Sequence, residues 1–368
     1  MAENPVNLLL EALPPILETS EMFALMKRLR EARNVVITCH ANPDGDALGS
    51  VLGWQEYLRS LGKRTQIVLP TPYPDFLRWL PGADHAYIFD TGNDHRQWRA
   101  SPQKIHDAFA AADLICCLDF NEPSRVGGME KMLREAKADK ILIDHHEHPD
   151  TAFFVQLVSR PEASSTCELV CRLICQLGAY EQMSRSAAEA LYCGMMTDTG
   201  AFSYASSAPH IYLLISLLLA KGIDKDAIYR NVYHAYSADR LKLVGHLLCN
   251  KLEFHLDNHA SIYSLTAEEM KQFHFKRGDA EGIVNLPLQV KGLRLSIALR
   301  EDTAQPLVRV SMRSVGDLDC TQIAKRFFNG GGHKNASGGS LPLPMETALQ
   351  TARDAIEAFK DEILGASV

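Results

Sequence analysis

The stretch NVVITCHANPDGDALGS (residues 34–50) joins a hydrophobic run to a polar loop, and it decides the fold class. The run NVVIT is typical of a buried β-strand. The loop that follows carries His40, Asp44 and Asp46 with little bulk between them. In ALGSVLGWQEYLRSLG, which comes next, apolar residues recur at three and four positions, as they do in a helix. A strand, a polar loop and a helix in this order predict one unit of a parallel α/β sheet.

The same alternation continues through the first half of the chain. Further strand patterns are TQIVL (65–69), LICCLD (114–119) and KILID (140–144), and helical patterns separate them. Continuous apolar strands between helices predict a mostly parallel, doubly wound sheet that is covered on both faces. In such a sheet, ligands bind beyond the carboxyl ends of the strands.

The second half of the chain has a different character. Residues 206–250 read as helix, and the later runs ASIYSLT, LRLSIALRE and LVRVSMRS alternate like strands of a mixed sheet. The glycine cluster NGGGHKNASGG and a helix at 345–363 follow. We predict an α/β fold of two domains, with a metal-binding domain at 1–205, a helical linker at 206–250, a smaller mixed-sheet domain at 251–368 and an active-site cleft between the domains.

Composition excludes several classes of protein. The net charge of −7 argues against a protein that grips long duplex nucleic acid, although a small anionic substrate can still bind in a local basic pocket. The start lacks a basic signal region, and the longest apolar run, IYLLISLLLA (211–220), is too short to span a membrane. None of the nine cysteines forms a C-x-x-C pair. We therefore predict a reduced, cytoplasmic protein without a membrane partner. A homodimer is compatible with this interpretation.

Histidines and aspartates recur where strands end. Asp119 ends CLD, the run Asp144-His145-His146 ends ILIDHH, and Asp198 lies in GMMTDTGAF. One aspartate after a strand is usually a turn former, but four such clusters, with His40, Asp44 and Asp46 as the first, predict a metal site at one edge of the sheet. Carboxylates with imidazoles suit Mn²⁺, Mg²⁺, Fe²⁺ or Zn²⁺. The number of carboxylates indicates two ions, which together can clamp a phosphoryl group.

Other motifs leave alternatives open. Ser165 and Glu168 have capping-box spacing. The glycines before His333 form either a flexible loop or a phosphate cradle. Arg313 is either an exposed arginine or a phosphate ligand, and Arg125 either pairs with Glu122 or binds substrate.

The ordered motifs, including Arg313-Ser314 and NGGGHKNASGG, resemble the DHH phosphoesterase superfamily with its DHH-associated C-terminal domain, and most of all its nanoRNase/pAp phosphatase group. The resemblance implies one Mn²⁺ on His40, Asp44 and Asp119. It implies a second on Asp46, Asp119, His145 and Asp198, with Mg²⁺, Co²⁺ or Fe²⁺ as substitutes. It also implies that Asp144 orients a ligand histidine and that His146 contacts the scissile phosphate or protonates the leaving oxygen. The substrate-binding residues that it implies are Arg125, Arg313, Ser314, Gly331, Gly332 and His333.

The expected function is that of a Mn²⁺-dependent phosphodiesterase or phosphatase. Its expected substrates are pAp, the linear dinucleotide pApA and oligoribonucleotides of a few nucleotides, which it hydrolyses to mononucleotides. The alternatives are a cyclic-dinucleotide (c-di-AMP) phosphodiesterase, a pyrophosphatase or exopolyphosphatase, and a nucleotide sensor without catalysis. The complete set of ligand residues disfavours the sensor, and the glycine-histidine motif disfavours the pyrophosphatase.

Overall fold

The computed structural model describes residues 5–90, 100–276, 278–303 and 305–366. The chain divides into two compact units, Met1–Ala235 (unit 1) and Tyr236–Val368 (unit 2). Helices of the predicted linker 206–250 are shared between the units, because the division falls at Ala235. The domain bounds given above stay a prediction.

Unit 1 alternates helices and strands. Its strands are β1 (Asn34–Thr38), β2 (Arg64–Leu69), β3 (Tyr87–Ile88), β4 (Leu114–Leu118), β5 (Asp139–Asp144) and β6 (Gln156–Ser159). Its α-helices are α1 (Pro5–Glu11), α2 (Thr19–Glu31), α3 (Gly45–Ser60), α4 (Pro102–Ala111), α5 (Glu130–Glu135), α6 (Thr166–Gln176), α7 (Arg185–Asp198), α8 (Pro209–Ala220) and α9 (Lys225–Tyr233). A 3₁₀ helix at Pro123–Met129 precedes α5.

The strands of unit 1 form a sheet in the order β3-β2-β1-β4-β5-β6. All the pairings are parallel, so the predicted parallel sheet is confirmed. Side chains alternate between the faces. Val35 and Ile37 of β1 join the core beneath α3, α6 and α7, whereas Val36 joins the core beneath α4 and α5. Both faces are covered, as the continuous apolar strands predict.

Three helices on one face pack closely, with α3 and α7 at backbone distance. A Cβ atom added to Gly49 of α3 would lie 2.4 Å from the carbonyl oxygen of Ala190 in α7. One added to Gly194 of α7 would lie 2.2 Å from Sγ of Cys167 in α6. Only glycine permits such close approach. The seam formed by Gly49, Ala190, Gly194 and Cys167 therefore holds α3, α6 and α7 as one body.

Unit 2 contains the remaining elements. Its strands are β7 (Glu253–His255), β8 (Ala260–Leu265), β9 (Leu295–Glu301), β10 (Leu307–Ser314), β11 (Gly331–His333) and β12 (Ala336–Pro342). Its α-helices are α10 (Ala238–His246), α11 (Ala267–Gln272), α12 (Cys320–Phe327), α13 (Met345–Ala358) and α14 (Lys360–Gly365). The predicted single helix at 345–363 is wrong, because Phe359 leaves helical geometry (φ −112°, ψ 19°) and separates α13 from α14.

The sheet of unit 2 is mixed, in the order β11-β12-β10-β9-β8-β7. The β8–β9 pairing is parallel and the other pairings are antiparallel, which confirms the predicted mixed sheet. Ile297 and Val310 represent the face that packs on α12 and α13. Tyr263 and Ala298 represent the other face, which packs with Leu243 of α10.

Two observations complete the fold. All nine cysteines are unpaired, and Cys167 and Cys171 are buried in α6. Among the helices of the described residues, none combines the length and the apolar character that crossing a membrane requires.

Candidate metal centre

The residues predicted to bind metal converge at the carboxyl ends of β1, β4 and β5. Three of the four motifs follow these strands, as predicted. The strand-end assignment is wrong for Asp198, which is the last residue of α7. Because α7 packs along α3, its carboxyl-terminal end reaches the same edge of the sheet.

One group of candidate ligand atoms comes from the loops that follow β1 and β4. Nε2 of His40 lies 3.4 Å from Oδ2 of Asp119 and 3.8 Å from Oδ2 of Asp44. Asp44 also caps α3, because its Oδ1 accepts hydrogen bonds from the backbone N–H groups of Asp46 and Ala47. These donors satisfy the first turn of the helix and fix the loop. The three side chains His40, Asp44 and Asp119 form a group that could hold a cation.

A second group adjoins the first. Nε2 of His145 lies 3.5 Å from Oδ2 of Asp198 and 3.9 Å from Oδ2 of Asp46. The same nitrogen lies 3.6 Å from Oδ1 of Asp119, whose other oxygen faces His40. Asp119 therefore presents one carboxylate oxygen to each group, which is the geometry that a shared ligand needs.

The backbone of Asp119 adopts an unusual conformation. Its φ angle of +63° lies in the left-handed region, which most side chains avoid. The residue is buried, and its N–H donates to the carbonyl of Ile143 at 3.1 Å. Local strain of this kind collects at functional sites, where the surrounding structure enforces it.

The amino-terminal turn of α6 binds two of these carboxylates. The N–H groups of Thr166 and Cys167 donate to Oδ2 and Oδ1 of Asp46 at 2.6 and 2.8 Å. The hydroxyl of Thr166 donates to Oδ1 of Asp119 at 3.0 Å. The capping-box spacing of Ser165 and Glu168 predicts a helix start here and does not reveal these contacts. A threonine directly after the N-cap is the signal that could have pointed to them.

The predicted capping box at this turn is half right. Oγ of Ser165 accepts from the N–H of Glu168, as expected for an N-cap. The carboxylate of Glu168, however, accepts from the N–H of Ser164 at 2.7 Å and not from that of Ser165. The bond that would close the capping box is therefore made one residue earlier, at Ser164, whose hydroxyl also donates to Glu168.

Asp144 and His146 form a pair beside the two groups. Nδ1 of His146 lies 2.7 Å from Oδ1 of Asp144, which is fully buried. Among the residues that the structure describes, Oδ2 of Asp144 has no hydrogen-bond partner. The histidine that Asp144 orients is thus His146, whereas Nδ1 of His145 faces the carbonyl of Ala163 at 3.3 Å. Because Asp144 engages Nδ1 of His146, a proton exchanged with a ligand would pass through Nε2.

The imidazoles take up protons in this environment. Burial lowers the pKa of His40 and of His145, but neighbouring carboxylates outweigh it and raise each pKa to about 9. The strongest of these influences are the hydrogen bond with Asp119 for His40 and the charge of Asp198 for His145.

The carboxylates show the same excess of negative charge. Burial raises the pKa of Asp198 to about 7, and burial together with the charges of Asp119 and Asp198 raises the pKa of Asp46 well above its usual value. Burial also acts on Asp119, but the hydrogen bond from His40 holds its pKa well below the usual range. The four carboxylates of the two groups outnumber the two imidazoles, and divalent cations would supply the further positive charge.

Arg125 lies at the edge of the same site. Its guanidinium charge lowers the pKa of His40 in part, and its carbonyl accepts from the N–H of Ala41 at 2.8 Å. The carboxylate of Glu122 accepts from Oγ of Ser124, and within the described residues no ion pair joins it to Arg125. The exposed guanidinium can therefore bind an anionic ligand.

Two candidates in unit 2 lie at the end of β10. Arg313 is half-buried and donates to the carbonyl of Met312 at 2.9 Å. Ser314 is buried, donates to the carbonyl of Leu318 at 2.7 Å and accepts from Nδ2 of Asn335 at 2.9 Å. The hydroxyl of Ser314 thus fixes the turn between β10 and α12.

The glycine cluster forms a hairpin, so the flexible-loop alternative is wrong. Gly331 and His333 bound β11, which pairs with β12. Gly332 has a φ of +141°, and a Cβ there would lie 2.5 Å from the carbonyl oxygen of Ala336. A Cβ at Gly331 would meet nothing within 4 Å. The fold itself requires glycine at 332 but not at 331.

Both halves of the chain match known family models. Residues 34–195 match the DHH family, N-terminal domain, and residues 262–362 match the DHHA1 domain. The first match contains the candidate ligands His40, Asp44, Asp46, Asp119 and His145 and ends three residues before Asp198, and the second contains Arg313, Ser314 and the hairpin glycines.

Curated relatives and a solved structure extend these matches. The chain is 28% identical over 330 residues to the bifunctional oligoribonuclease and PAP phosphatase NrnA of Thermus thermophilus, covering 89% of this chain and 90% of that protein. It is 26% identical to the cyclic-di-AMP phosphodiesterase GdpP of Bacillus subtilis, of which it covers only 49%. The crystal structure of an exopolyphosphatase-related protein from Bacteroides fragilis is similar with a TM-score of 0.88 and 42% identity, over 95% of this chain and 99% of that one. The chain therefore belongs to the DHH family and carries a DHHA1 domain.

Proposed function

We propose that the protein is a Mn²⁺-dependent phosphodiesterase or phosphatase that converts short oligoribonucleotides, linear dinucleotides such as pApA, and pAp to mononucleotides. The observation that carries this proposal is the pair of adjoining ligand groups, with Asp119 of the first group directing its second carboxylate oxygen toward His145 of the other. Two neighbouring cations suit the displacement of an oxygen at phosphorus. The printed activities of the Thermus relative, an oligoribonuclease and PAP phosphatase, support the substrate class.

The donor set fits the proposed metal. We assign His40, Asp44 and Asp119 to one ion and Asp46, Asp119, His145 and Asp198 to the other. Carboxylates mixed with imidazoles, without a thiolate in either group, favour Mn²⁺ and admit Mg²⁺, Co²⁺ or Fe²⁺. The raised pKa values of Asp46 and Asp198 also support a site that is completed by added positive charge.

When bound, the ions would neutralise phosphate charge and activate water. The chain's own contribution is proton transfer and orientation. His146, protonated and held at Nδ1 by Asp144, would donate a proton from Nε2 to the leaving oxygen and so become a neutral imidazole. The exposed guanidinium of Arg125 would contact a phosphate oxygen.

Unit 2 is proposed to bind the part of the substrate that does not react. The half-buried guanidinium of Arg313 suits a phosphate, and Ser314 supports it by fixing the adjoining turn. Gly331, Gly332 and His333 are assigned to the same role. We also propose a cytoplasmic location, which the nine unpaired cysteines support.

The test is a substrate panel assayed with Mn²⁺, consisting of pAp, pApA, oligoribonucleotides of increasing length, cyclic diadenylate and pyrophosphate. We expect the highest kcat/KM on pAp or pApA and a steep fall with increasing length. EDTA should inactivate the enzyme, and Mn²⁺ should restore it better than Ca²⁺, whose variable coordination suits a catalytic clamp poorly.

The other outcomes identify the alternatives. Faster cleavage of cyclic than of linear diadenylate would favour the phosphodiesterase activity named for the Bacillus relative. Preferred release of phosphate from pyrophosphate would favour the polyphosphatase class suggested by the Bacteroides structure. Binding of nucleotides without any turnover would indicate a sensor.

A further inference from the structure

We propose that Thr166, held in place by the buried carboxylate of Glu168, is a positioning residue that orients the Asp119 and Asp46 carboxylates toward the metals. This inference rests on the proposed function, since the two aspartates need orientation only as metal ligands. Neither Thr166 nor Glu168 belongs to the ligand groups.

The contacts of Thr166 reach both aspartates at once. Its hydroxyl donates to Oδ1 of Asp119 at 3.0 Å, and its N–H donates to Oδ2 of Asp46 at 2.6 Å. The N–H of Cys167 donates to the other oxygen of Asp46, Oδ1, at 2.8 Å. The plane of the Asp46 carboxylate is therefore fixed by two donors, and that of Asp119 by the threonine hydroxyl and by its contact with His40.

The chemistry of these donors matters. A lysine or arginine in their place would neutralise the carboxylates and compete with a cation. Peptide N–H and hydroxyl groups are neutral donors, so they fix the direction of the lone pairs and leave the full negative charge available to a metal. Partners of this kind, one step removed from the metal, determine how well ligands bind it.

Glu168 explains why the turn carrying Thr166 keeps its position. Its side chain is fully buried. Oε2 accepts from the N–H and Oγ of Ser164 at 2.7 and 2.8 Å, while Oε1 accepts from Arg172 and from Nε2 of His210, both at 2.9 Å. Four donors to one buried carboxylate tie the turn before α6 to the bodies of α6 and α8. A buried charge so fully bonded is costly to alter.

The experiment compares Thr166→Val with Thr166→Ser in the full chain. Valine keeps the shape but removes the hydroxyl donor, whereas serine retains it. Isothermal titration with Mn²⁺ should show affinity weakened roughly 10- to 100-fold in Thr166→Val. Thr166→Ser should stay within a few-fold of the wild type. At saturating Mn²⁺, Thr166→Val should lower kcat for pApA more than it raises KM, because the altered group orients the metals and does not touch the substrate.

A second comparison separates positioning from general stability. Glu168→Gln should weaken Mn²⁺ binding. Its matched control is Glu269→Gln, since Glu269 in unit 2 likewise accepts from a turn, through Thr266, and from a histidine, His246. The control should lower the melting temperature without changing Mn²⁺ affinity. If Glu168→Gln does not fold, the threonine pair alone decides the question.

The failure of this inference is distinguishable from that of the proposed function. Wild-type Mn²⁺ affinity in Thr166→Val would overturn the positioning role while leaving a metal-binding wild type. Weakened Mn²⁺ binding in Glu269→Gln to the same extent as in Glu168→Gln would also overturn the part assigned to Glu168. A wild-type protein that binds no Mn²⁺ would overturn the proposed function and this inference together.

Discussion

The candidate residues of unit 1 and those of unit 2 differ in what their polar atoms bond to. In unit 1, carboxylates and imidazoles face one another, and the buried Oδ2 of Asp144 has no hydrogen-bond partner within the described part of the chain. In unit 2, Ser314 bonds within its own turn, and Gly332 is required by its hairpin.

This difference separates residues that the fold requires from residues that only a function explains. The unit 1 cluster destabilises its own charges, since it raises the pKa values of Asp46 and Asp198, so folding alone does not account for it. In unit 2, the requirements of folding explain why Ser314 and Gly332 are present. They do not explain Arg313, which is therefore the strongest candidate there for substrate binding.

The largest effect is expected at the shared carboxylate. Asp119→Ala should reduce turnover by more than a thousandfold and lower the Mn²⁺ content, because both ligand groups lose an oxygen. Turnover of pApA and metal content after gel filtration measure this. Asp119→Asn is a useful companion, since asparagine tolerates the left-handed backbone better than alanine does. Asp139→Ala, at the exposed start of β5, is the control and should be unaffected; one-tenth of wild-type activity in Asp119→Ala would refute the sharing.

The neighbouring histidines should behave differently from each other. His146→Ala should lower kcat by roughly 100- to 10,000-fold with metals retained, as expected on losing a proton donor. His145→Ala should instead lose metal, because its Nε2 faces Asp46 and Asp198. Metal analysis alongside kcat checks the division, which is wrong if both variants retain a full metal content.

Arg313→Ala tests whether unit 2 contributes to substrate binding. Loss of a charged hydrogen bond, about 1.5–3 kcal/mol, should lower kcat/KM for pApA by roughly one to two orders of magnitude. Bis-p-nitrophenyl phosphate, which lacks a second phosphate and a nucleoside, should be hydrolysed as before. Arg309→Ala is the matched control, since Arg309 lies on the same strand and pairs with Asp302. Equal losses on both substrates would assign Arg313 to the chemistry.

The stability of the metal-free protein should depend on pH. His40 and His145 have folded pKa values of about 9 against an ordinary 6.5, so their contribution is fully present below about pH 6.5 and is lost as the pH rises through about 9. The raised pKa of Asp198, about 7, acts in the same direction at lower pH. The melting temperature with EDTA should therefore fall by several degrees between pH 6.5 and 9. Mn²⁺-saturated protein should show a smaller fall; parallel curves would contradict the assignment.

The smallest effect is expected in the hairpin. Gly332→Ala should destabilise the protein by about 1–3 kcal/mol, because its φ of +141° and the carbonyl of Ala336 exclude a Cβ. Gly331→Ala should leave thermal unfolding unchanged, and any loss of activity it causes would then report on substrate binding. Equal destabilisation by both would refute the structural account of Gly332.

The elements that could be predicted from the sequence are those with a strong periodic pattern of apolar residues. The runs NVVIT and LVRVSMRS became β1 and β10 with the predicted bounds, because continuous or alternating apolar residues leave little choice of structure. The two-residue strand β3 and the strand β6 carry too weak a pattern to be found. The break at Phe359 was missed because helical periodicity continues across it.

Much of the cluster was likewise predictable, and the rest depended on tertiary packing. The aspartates and histidines after β1, β4 and β5 follow from the rule for parallel sheets. The position of Asp198 does not, because it depends on how α7 lies along α3. The threonine after the N-cap signals a donor at this turn but does not identify its acceptor, since Thr166 and Asp46 are 120 residues apart in the chain.

The glycine seam between α3, α6 and α7 has a thermodynamic consequence. Asp46 and Asp198 belong to helices that meet at backbone distance, so their relative position is set when the chain folds and not when a cation arrives. Little conformational entropy then remains to be lost on binding. Calorimetry should accordingly show a small heat-capacity change for Mn²⁺ uptake, and amide exchange along α3 and α7 should be equally slow with and without the metal.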